Sequence, residues 1–412
     1  MRIAYLTQSY PPMISGASIV AEQLAKEMAE CGHQVLVIAA SDRGQPYFSL
    51  QKNLTVLRLR STHNPLRVGQ RFILYPRSEV MKALDEFKPE IIHGHEPLIC
   101  WVGFEYARRM NIPTTLTMHM LPWFVAGYLP DWIGLRKIAE QVTWAYFRIV
   151  AKNLDTIITT TQTASTTISN VTGIHPETIP CGIDTRIFHP PLSSDLETAT
   201  RARPNLPSNV PFILHVGRLD PEKNVDRILQ AAALTMYQSN AHLLIVGDGR
   251  EKSALMKLSH SLGIADRTHF PGYLSVKDGL PEIYRMATLF VMASEIESQG
   301  VVLLEAAASG LPLVAVEATS IPEIVHDGVN GYLSKPGDIL ALGTAMTKLL
   351  NDPGTAKQMG RESHRLAKNY DIQKVQKMHE QFYDKLIKQQ KAGHRNQLSS
   401  WKRVKVWMGF RK

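Results

Sequence analysis

Short apolar runs alternate with stretches of helical spacing along this chain, in two series, and that alternation limits the possible folds more than any other feature. Arg2–Thr7 is an apolar run that ends in a turn-rich loop, Ser9–Ser18. Val20, Leu24 and Met28 then repeat at a spacing of four until Gly32 breaks the pattern. Val35–Ala39, Val56–Leu59, Ile91–His93, Thr114–Thr117 and Thr156–Thr159 read as further strands, with helices expected at 78–88, 97–110 and 134–153. A polar stretch with Pro190, Pro191, Pro204 and Pro207 follows. The second series places strands at Phe212–Val216, His242–Val246, Leu289–Met292 and Leu313–Val316, and helices at Val225–Tyr237, Lys252–Leu262 and Val302–Ser309. Strands that alternate with helices build βαβ units and a parallel sheet. The expected fold is therefore α/β, with two doubly wound domains facing a cleft. They span 1–190 and 211–370, joined by a linker at 191–210. A helix over 371–391 is expected to return to the N-terminal domain, ahead of a basic, aromatic tail at 392–412. Ligands of such sheets sit at the carboxyl ends of the strands, so the cleft is the expected site.

Composition narrows the function classes. With 412 residues, 44% hydrophobic and 20% charged, the chain can bury a sizeable core and is not a disordered polymer. No apolar run reaches the ~18–20 residues that cross a bilayer, so an integral membrane protein is not expected. Met1–Ser9 lacks the apolar core of a signal peptide. Cys31, Cys100 and Cys181 are too few and too scattered for a disulfide framework or a zinc site. A cytoplasmic location is expected. The net charge of +9 is concentrated in residues 385–412, which carry nine Lys and Arg and no acid. The body of the chain is neutral overall, which argues against a nucleic-acid partner. The tail Trp401–Phe410 interleaves cations with aromatic and apolar residues. It reads either as an anchor on anionic lipid, where each cation contributes about 1 kcal/mol, or as a solvated terminus.

Four constellations carry chemistry. Glu297–Pro312 leaves an apolar strand, turns at Gly300 and opens a helix that Gly310 and Pro312 close. The open N–H groups of a helix start bind anions, phosphate above all. Glu297 and Glu305, eight positions apart, can both face a ligand there and accept from sugar or ribose hydroxyls. Alone, the pair reads equally as a glutamate favouring the helix dipole and another on a solvated face. Val216–Asn224 also leaves a strand, and its Arg218 and Lys223 suit a diphosphate, one as a fork and one as a point charge. A surface turn with an Arg–Glu pair is the competing reading. Gly16 lies between the first strand and helix, where glycine admits close backbone approach to a phosphate. His119 ends the strand Thr114–Thr117, and a lone histidine there is either a structural hydrogen-bonding group or a group facing the cleft.

In order along the chain stand Ser15-Gly16-Ala17, Gly32-His33-Gln34-Val35, His93-Gly94-His95, Ile112-Pro113, Thr117-Met118-His119, Cys181-Gly182-Ile183-Asp184 and Phe188. Gly217-Arg218-Leu219, Lys223-Asn224, Gly247-Asp248-Gly249 and the E-x7-E pair Glu297 and Glu305 follow. This set, over about residues 1–390, resembles the family-4 retaining glycosyltransferases of GT-B fold, whose two domains are Rossmann-like. The resemblance implies that Arg218 and Lys223 bind the donor's diphosphate, that Glu305 accepts from the ribose hydroxyls and that Glu297 holds the donor sugar. It implies that the backbone of Gly300, Val301 and Val302 caps the phosphates, that Gly16 approaches them, that His119 hydrogen-bonds the sugar and that Leu274 presents backbone to the base. His119, Glu297, Arg218 and Lys223 are the implied catalytic set. The family's first loop usually has two glycines; here the second is Ala17.

The resemblance further implies transfer with retention, and with no carboxylate placed as a covalent nucleophile a same-face displacement is expected, in which the leaving phosphate takes the acceptor's proton. No metal or cofactor is expected: the chain has no D-x-D, and His93-x-His95 supplies only two ligands. Trp123, Phe124, Tyr128, Trp132, Trp144, Tyr146 and Phe147 lie near Arg136, Lys137 and Arg148, and Leu66–Arg77 is a second basic, apolar stretch. Such surfaces suit an anionic membrane, although ordinary packing of an amphipathic helix also accounts for 134–153. Glu297-Ser298-Gln299-Gly300, with Gln where many relatives carry Phe, resembles the diacylglycerol glycosyltransferase branch. The expected function is transfer of a hexose from a UDP-linked sugar such as UDP-glucose to a membrane lipid such as diacylglycerol, by a peripheral protein at the cytoplasmic membrane face. The alternatives are a soluble-sugar or cell-envelope polysaccharide acceptor and a non-catalytic sugar-nucleotide or membrane-surface binding protein. A dehydrogenase is disfavoured because Lys252 leaves Gly247-Asp248-Gly249 short of G-x-G-x-x-G.

Overall fold

A computed structural model of the chain describes residues 1–13, 15–63, 71–73, 76–95, 97–119, 121, 134–191, 206–207 and 210–393. The basic tail from 394, the aromatic residues Trp123, Phe124, Tyr128 and Trp132, most of 66–77 and most of the linker at 191–210 lie outside the described residues. The described chain forms two units, Met1–Gly182 with the segment from Val375, and Ile183–Lys374.

The first unit is built on β1 (Arg2–Leu6), β2 (Gln34–Ala40), β3 (Tyr47–Gln51), β4 (Leu54–Leu59), β7 (Ile91–Gly94), β8 (Thr114–Met118), β9 (Thr156–Thr159) and β10 (Glu177–Thr178). A small hairpin, β5 (Thr62–His63) with β6 (Arg71–Phe72), stands apart. The sheet order is β10-β9-β8-β7-β1-β2-β4-β3, and every neighbouring pair is parallel except β3 with β4. Continuous apolar runs such as Ile3–Leu6 and Val35–Ala40 are buried on both faces, as a parallel sheet covered by helices requires. Edge strand β3 departs from this rule. Phe48 and Leu50 are exposed, so nothing in its pattern marks a strand and only pairing to β4 makes it one. Helix Ile372–Lys391 supplies Val375, Phe382, Tyr383, Leu386 and Ile387 to this unit's core.

The second unit carries β11 (Phe212–Val216), β12 (His242–Val246), β13 (Thr268–Gly272), β14 (Leu289–Met292), β15 (Leu313–Val316) and β16 (Gly331–Ser334). Their order is β13-β12-β11-β14-β15-β16, all parallel. The segment from Ile183 belongs here and not to the N-terminal domain as drawn from sequence. Ile183 and Phe188 sit in the second core, and the Ile183 amide donates to the Tyr370 carbonyl at 2.8 Å. Each sheet winds in both directions from one strand. The reversal lies between β1 and β7 in the first and between β11 and β14 in the second, and a reversal opens a crevice at the carboxyl ends of its strands.

Candidate active site

In the first unit Gly16 opens the helix after β1, and three histidines lie in and beyond the carboxyl ends of β7 and its neighbour β8. Helix Gly16–Glu30 begins after β1, capped by Ser15, whose side chain accepts from the Ser18 amide. Gly16 is exposed, and a Cβ there would meet nothing within 4 Å, so the open helix start has room beside it. His95 follows β7 directly and His119 follows β8 directly. Parallel register, with His93 beside Thr115 and Gly94 beside Leu116, delivers both rings to the same edge. His95 Nδ1 lies 3.0 Å from His119 Nε2, with the ring planes 13° apart and the centroids at 5.3 Å, an edge-to-edge pair. His93 stacks on His95 at 4.5 Å. Its Nε2 lies 2.7 Å from Thr117 Oγ1, and its Nδ1 lies 2.5 Å from the Tyr383 hydroxyl. Burial lowers the His119 pKa to about 4 and holds those of His93 and His95 well below the usual imidazole range. The column is therefore neutral at pH 7 and acts through hydrogen bonds.

In the second unit the crevice holds charge. Lys223, in the 3-10 turn after β11, places Nζ 2.5 Å from Glu297 Oε1 in the loop after β14. That ion pair spans the point where the strand order reverses. The Glu297 loop is pinned on its other side, its amide donating to Thr319 Oγ1 at 3.2 Å and its carbonyl accepting from Ser320 Oγ at 3.1 Å. Arg218 bonds both Asp220 and Glu222, so the Arg–Glu turn pair anticipated as the competing reading is formed beside the crevice. Gly247 holds this loop in place. It adopts φ +147°, and a Cβ on it would fall 1.8 Å from the Gly217 carbonyl oxygen. The close approach of two loops, and not a dinucleotide cradle, accounts for that glycine.

Gly300 adopts φ +78° and caps helix Val301–Ala308 without a side-chain bond. The Leu303 amide already turns back to the Gly300 carbonyl, which leaves the amides before it at the open end of the helix. One turn in, Glu305 is buried and accepts from the Tyr284 hydroxyl at 2.7 Å. Burial raises its pKa to about 7, against the opposing Tyr284 bond. Leu274 is buried in the second core. The second unit thus gathers Arg218, Lys223, Glu297, Gly300, Val301, Val302 and Glu305 around one sheet crevice, while Gly16 and His119 lie at the corresponding crevice of the first.

Residues 14–187 match the family Glycosyltransferase Family 4, and residues 197–366 match Glycosyl transferases group 1. The chain is a glycosyltransferase, a hexosyltransferase of GT-B fold. Among curated relatives, the sulfoquinovosyl transferase SQD2 of Arabidopsis thaliana is 27% identical over 90% of this chain and 71% of its own. The D-inositol 3-phosphate glycosyltransferase of Acidothermus cellulolyticus is 29% identical over 86% of this chain and 83% of its own. The crystal structure of Anabaena HepE in complex with UDP-glucose superposes with a TM-score of 0.72 at 20% identity, covering 94% of this chain and all of that one.

At the two crevices, the partnerships of His95 and Tyr284 and the placement of His215 carry no sequence signal of their own. His95 meets His119 only through strand pairing, and Tyr284 meets Glu305 across 21 positions. His215, on β11, bonds the Val291 carbonyl at 3.1 Å beneath the Lys223–Glu297 pair, and burial lowers its pKa to about 4. Only alternation of His215 with its apolar neighbours could have drawn attention to it.

Proposed function

We propose that this glycosyltransferase moves a hexose, with retention, from a UDP-linked sugar to a membrane lipid such as diacylglycerol. The observation that carries the donor half is the Lys223–Glu297 pair beside the open start of helix Val301–Ala308. A diphosphate brings negative charge to the helix start, where amides, Lys223 and Arg218 can receive it. Its arrival competes with Glu297, Asp220 and Glu222 for the two cations, and frees the Glu297 carboxylate to accept from sugar hydroxyls. Glu305 accepts from the ribose, Leu274 offers backbone to the base, and Gly16 and His119 act on the phosphates and the sugar. As the anomeric bond breaks, Arg218 and Lys223 neutralise the growing charge on the leaving phosphate, which takes the acceptor's proton on the same face. The UDP-glucose bound by HepE supports the choice of base.

Support for the lipid acceptor comes from helix Leu135–Ala151. Trp144, Phe147 and Val150 are buried, while Ile138, Val142 and Ile149 line the opposite, exposed side next to Lys137 and Arg148. An apolar stripe edged by cations suits the boundary of an anionic bilayer. No helix among the described residues is long and apolar enough to cross a membrane, so contact would be peripheral. The name of the Acidothermus relative favours, as second reading, a soluble acceptor. Mass spectrometry of products from UDP-, GDP- and ADP-sugars, offered with a lipid extract or with soluble sugars, tests both. A product only with soluble acceptors removes the lipid. Co-sedimentation with anionic liposomes, for the full chain and for one ending at 392, tests the surface, and negligible binding by both removes it.

A further inference from the structure

His95 is buried, yet its Nε2 has no hydrogen-bond partner among the described residues. Its Nδ1 faces His119 Nε2 at 3.0 Å, and the two neutral rings share one proton across that gap. Two arrangements are available. If His119 donated from Nε2, His95 would have to carry its own proton on Nε2, and that N–H would be buried with nothing to receive it. If His95 donates from Nδ1, only a lone pair is left at its Nε2. Orphaned buried N–H groups are among the rarest features of folded proteins, and an unfilled acceptor is tolerated better. The preference of free imidazole for the Nε2–H form is weaker than the loss of a buried donor's partner. His93 cannot relieve either arrangement, because both its ring nitrogens are engaged by Thr117 and Tyr383.

We propose that His95 is a positioning residue: its Nδ1–H donates to His119 Nε2, which fixes His119 as the Nδ1–H tautomer and makes it a neutral donor toward an oxygen of the sugar substrate. This rests on the reading above that His119 meets the donor sugar. Its Nδ1 has no partner among the described residues. His93 stacks on His95 at 4.5 Å, and the His119 ring lies 13° from parallel to His95, edge to edge with it, so the plane in which the proton lies is fixed. A carboxylate in place of His95 would instead make His119 a cation, so the choice of a second imidazole keeps the donor uncharged.

Nitrogen NMR of histidine-labelled full-length protein tests it, with the His119 signals assigned by their loss in His119→Ala. In the wild type, His119 Nδ1 should carry the proton and Nε2 should read as a bare acceptor. His95→Phe should return His119 toward the Nε2–H form and lower kcat about tenfold or more while the fold persists. His95→Asn, whose amide nitrogen can donate from the place of Nδ1, should restore both. A wild-type His119 protonated on Nε2 overturns the proposal without any variant, and so does a tautomer unmoved by His95→Phe. Added UDP-glucose should shift the Nδ1 signal. If the tautomer is as stated and a saturating donor leaves that signal in place, the sugar contact fails and the positioning role fails with it, while the imidazole pairing stands as a feature of the fold.

Discussion

The two α/β units meet the same architectural problem, an open crevice where the strand order reverses, and furnish it with opposite chemistry. The first lines its crevice strands with stacked, neutral imidazoles held by hydroxyls. The second lines its own with cations already matched to carboxylates. On the proposed function, the difference gives the two units different parts in glycosyl transfer. Pyrophosphate must be met by charge, and a charge must be kept in check while the site waits. On the same proposal, sugar hydroxyls are met by both kinds of group, the neutral imidazole of His119 and the Glu297 carboxylate, whose fixed directions matter as much as charge.

The largest test falls on the charged side. Lys223→Ala should lower kcat about 10²–10³-fold, the usual scale for losing one stabiliser of a leaving oxyanion; a near wild-type rate in a donor-turnover assay would break the contrast. Next comes Glu305. Its pKa, raised from 4.5 to about 7 by burial, means that the folded unit prefers the protonated carboxyl. That contribution, about 3 kcal/mol at 1.36 kcal/mol per unit, is fully present below pH 4.5 and is lost as pH rises through 7. Urea unfolding at pH 5 and pH 8 should show it, and Glu305→Gln should flatten the difference. Donor affinity should move the other way, rising with pH as the carboxylate forms.

His119→Ala should cost about 10–100-fold in kcat/KM, the worth of one buried hydrogen bond to a reacting sugar. Because burial lowers the His119 pKa from 6.5 to about 4, the wild-type rate should show no ionisation of this residue near pH 6.5. The same depression makes the fold acid-sensitive: the stability present above pH 6.5 is lost as pH falls through 4. Gly16→Ala is the smallest test. With open space around the added methyl and a helical backbone, folding stability should hold or rise by about 0.4–1 kcal/mol. The donor KM should still rise a few-fold if backbone approaches phosphate there.

Much of this was readable from residues alone. Apolar runs such as Ile3–Leu6 and Phe212–Val216 announce buried parallel strands because both faces are covered, and the eight-residue interval between Glu297 and Glu305 survives as a loop and a helix turn. Strand β3 was not readable, since an exposed edge carries no burial pattern. Helices Ile339–Asn351 and Pro353–Ala367, both in the second unit, are not among the elements expected from the sequence. The partners of Lys223 and His119 lie 74 and 24 positions away. Only sheet order and register, which are collective properties, bring them together.

The buried Tyr383 has a consequence for how the protein is made. It lies more than two hundred positions beyond Thr178, the last strand residue of the sheet it completes, yet it fills the core beside Tyr5. Synthesis at about 5–20 residues per second separates those events by about 10–40 s. Throughout that interval the nascent front half is missing a wall, and the contiguous back half, which ends at Lys374, is itself fully translated nine residues before Tyr383. The part of the enzyme translated first is finished last.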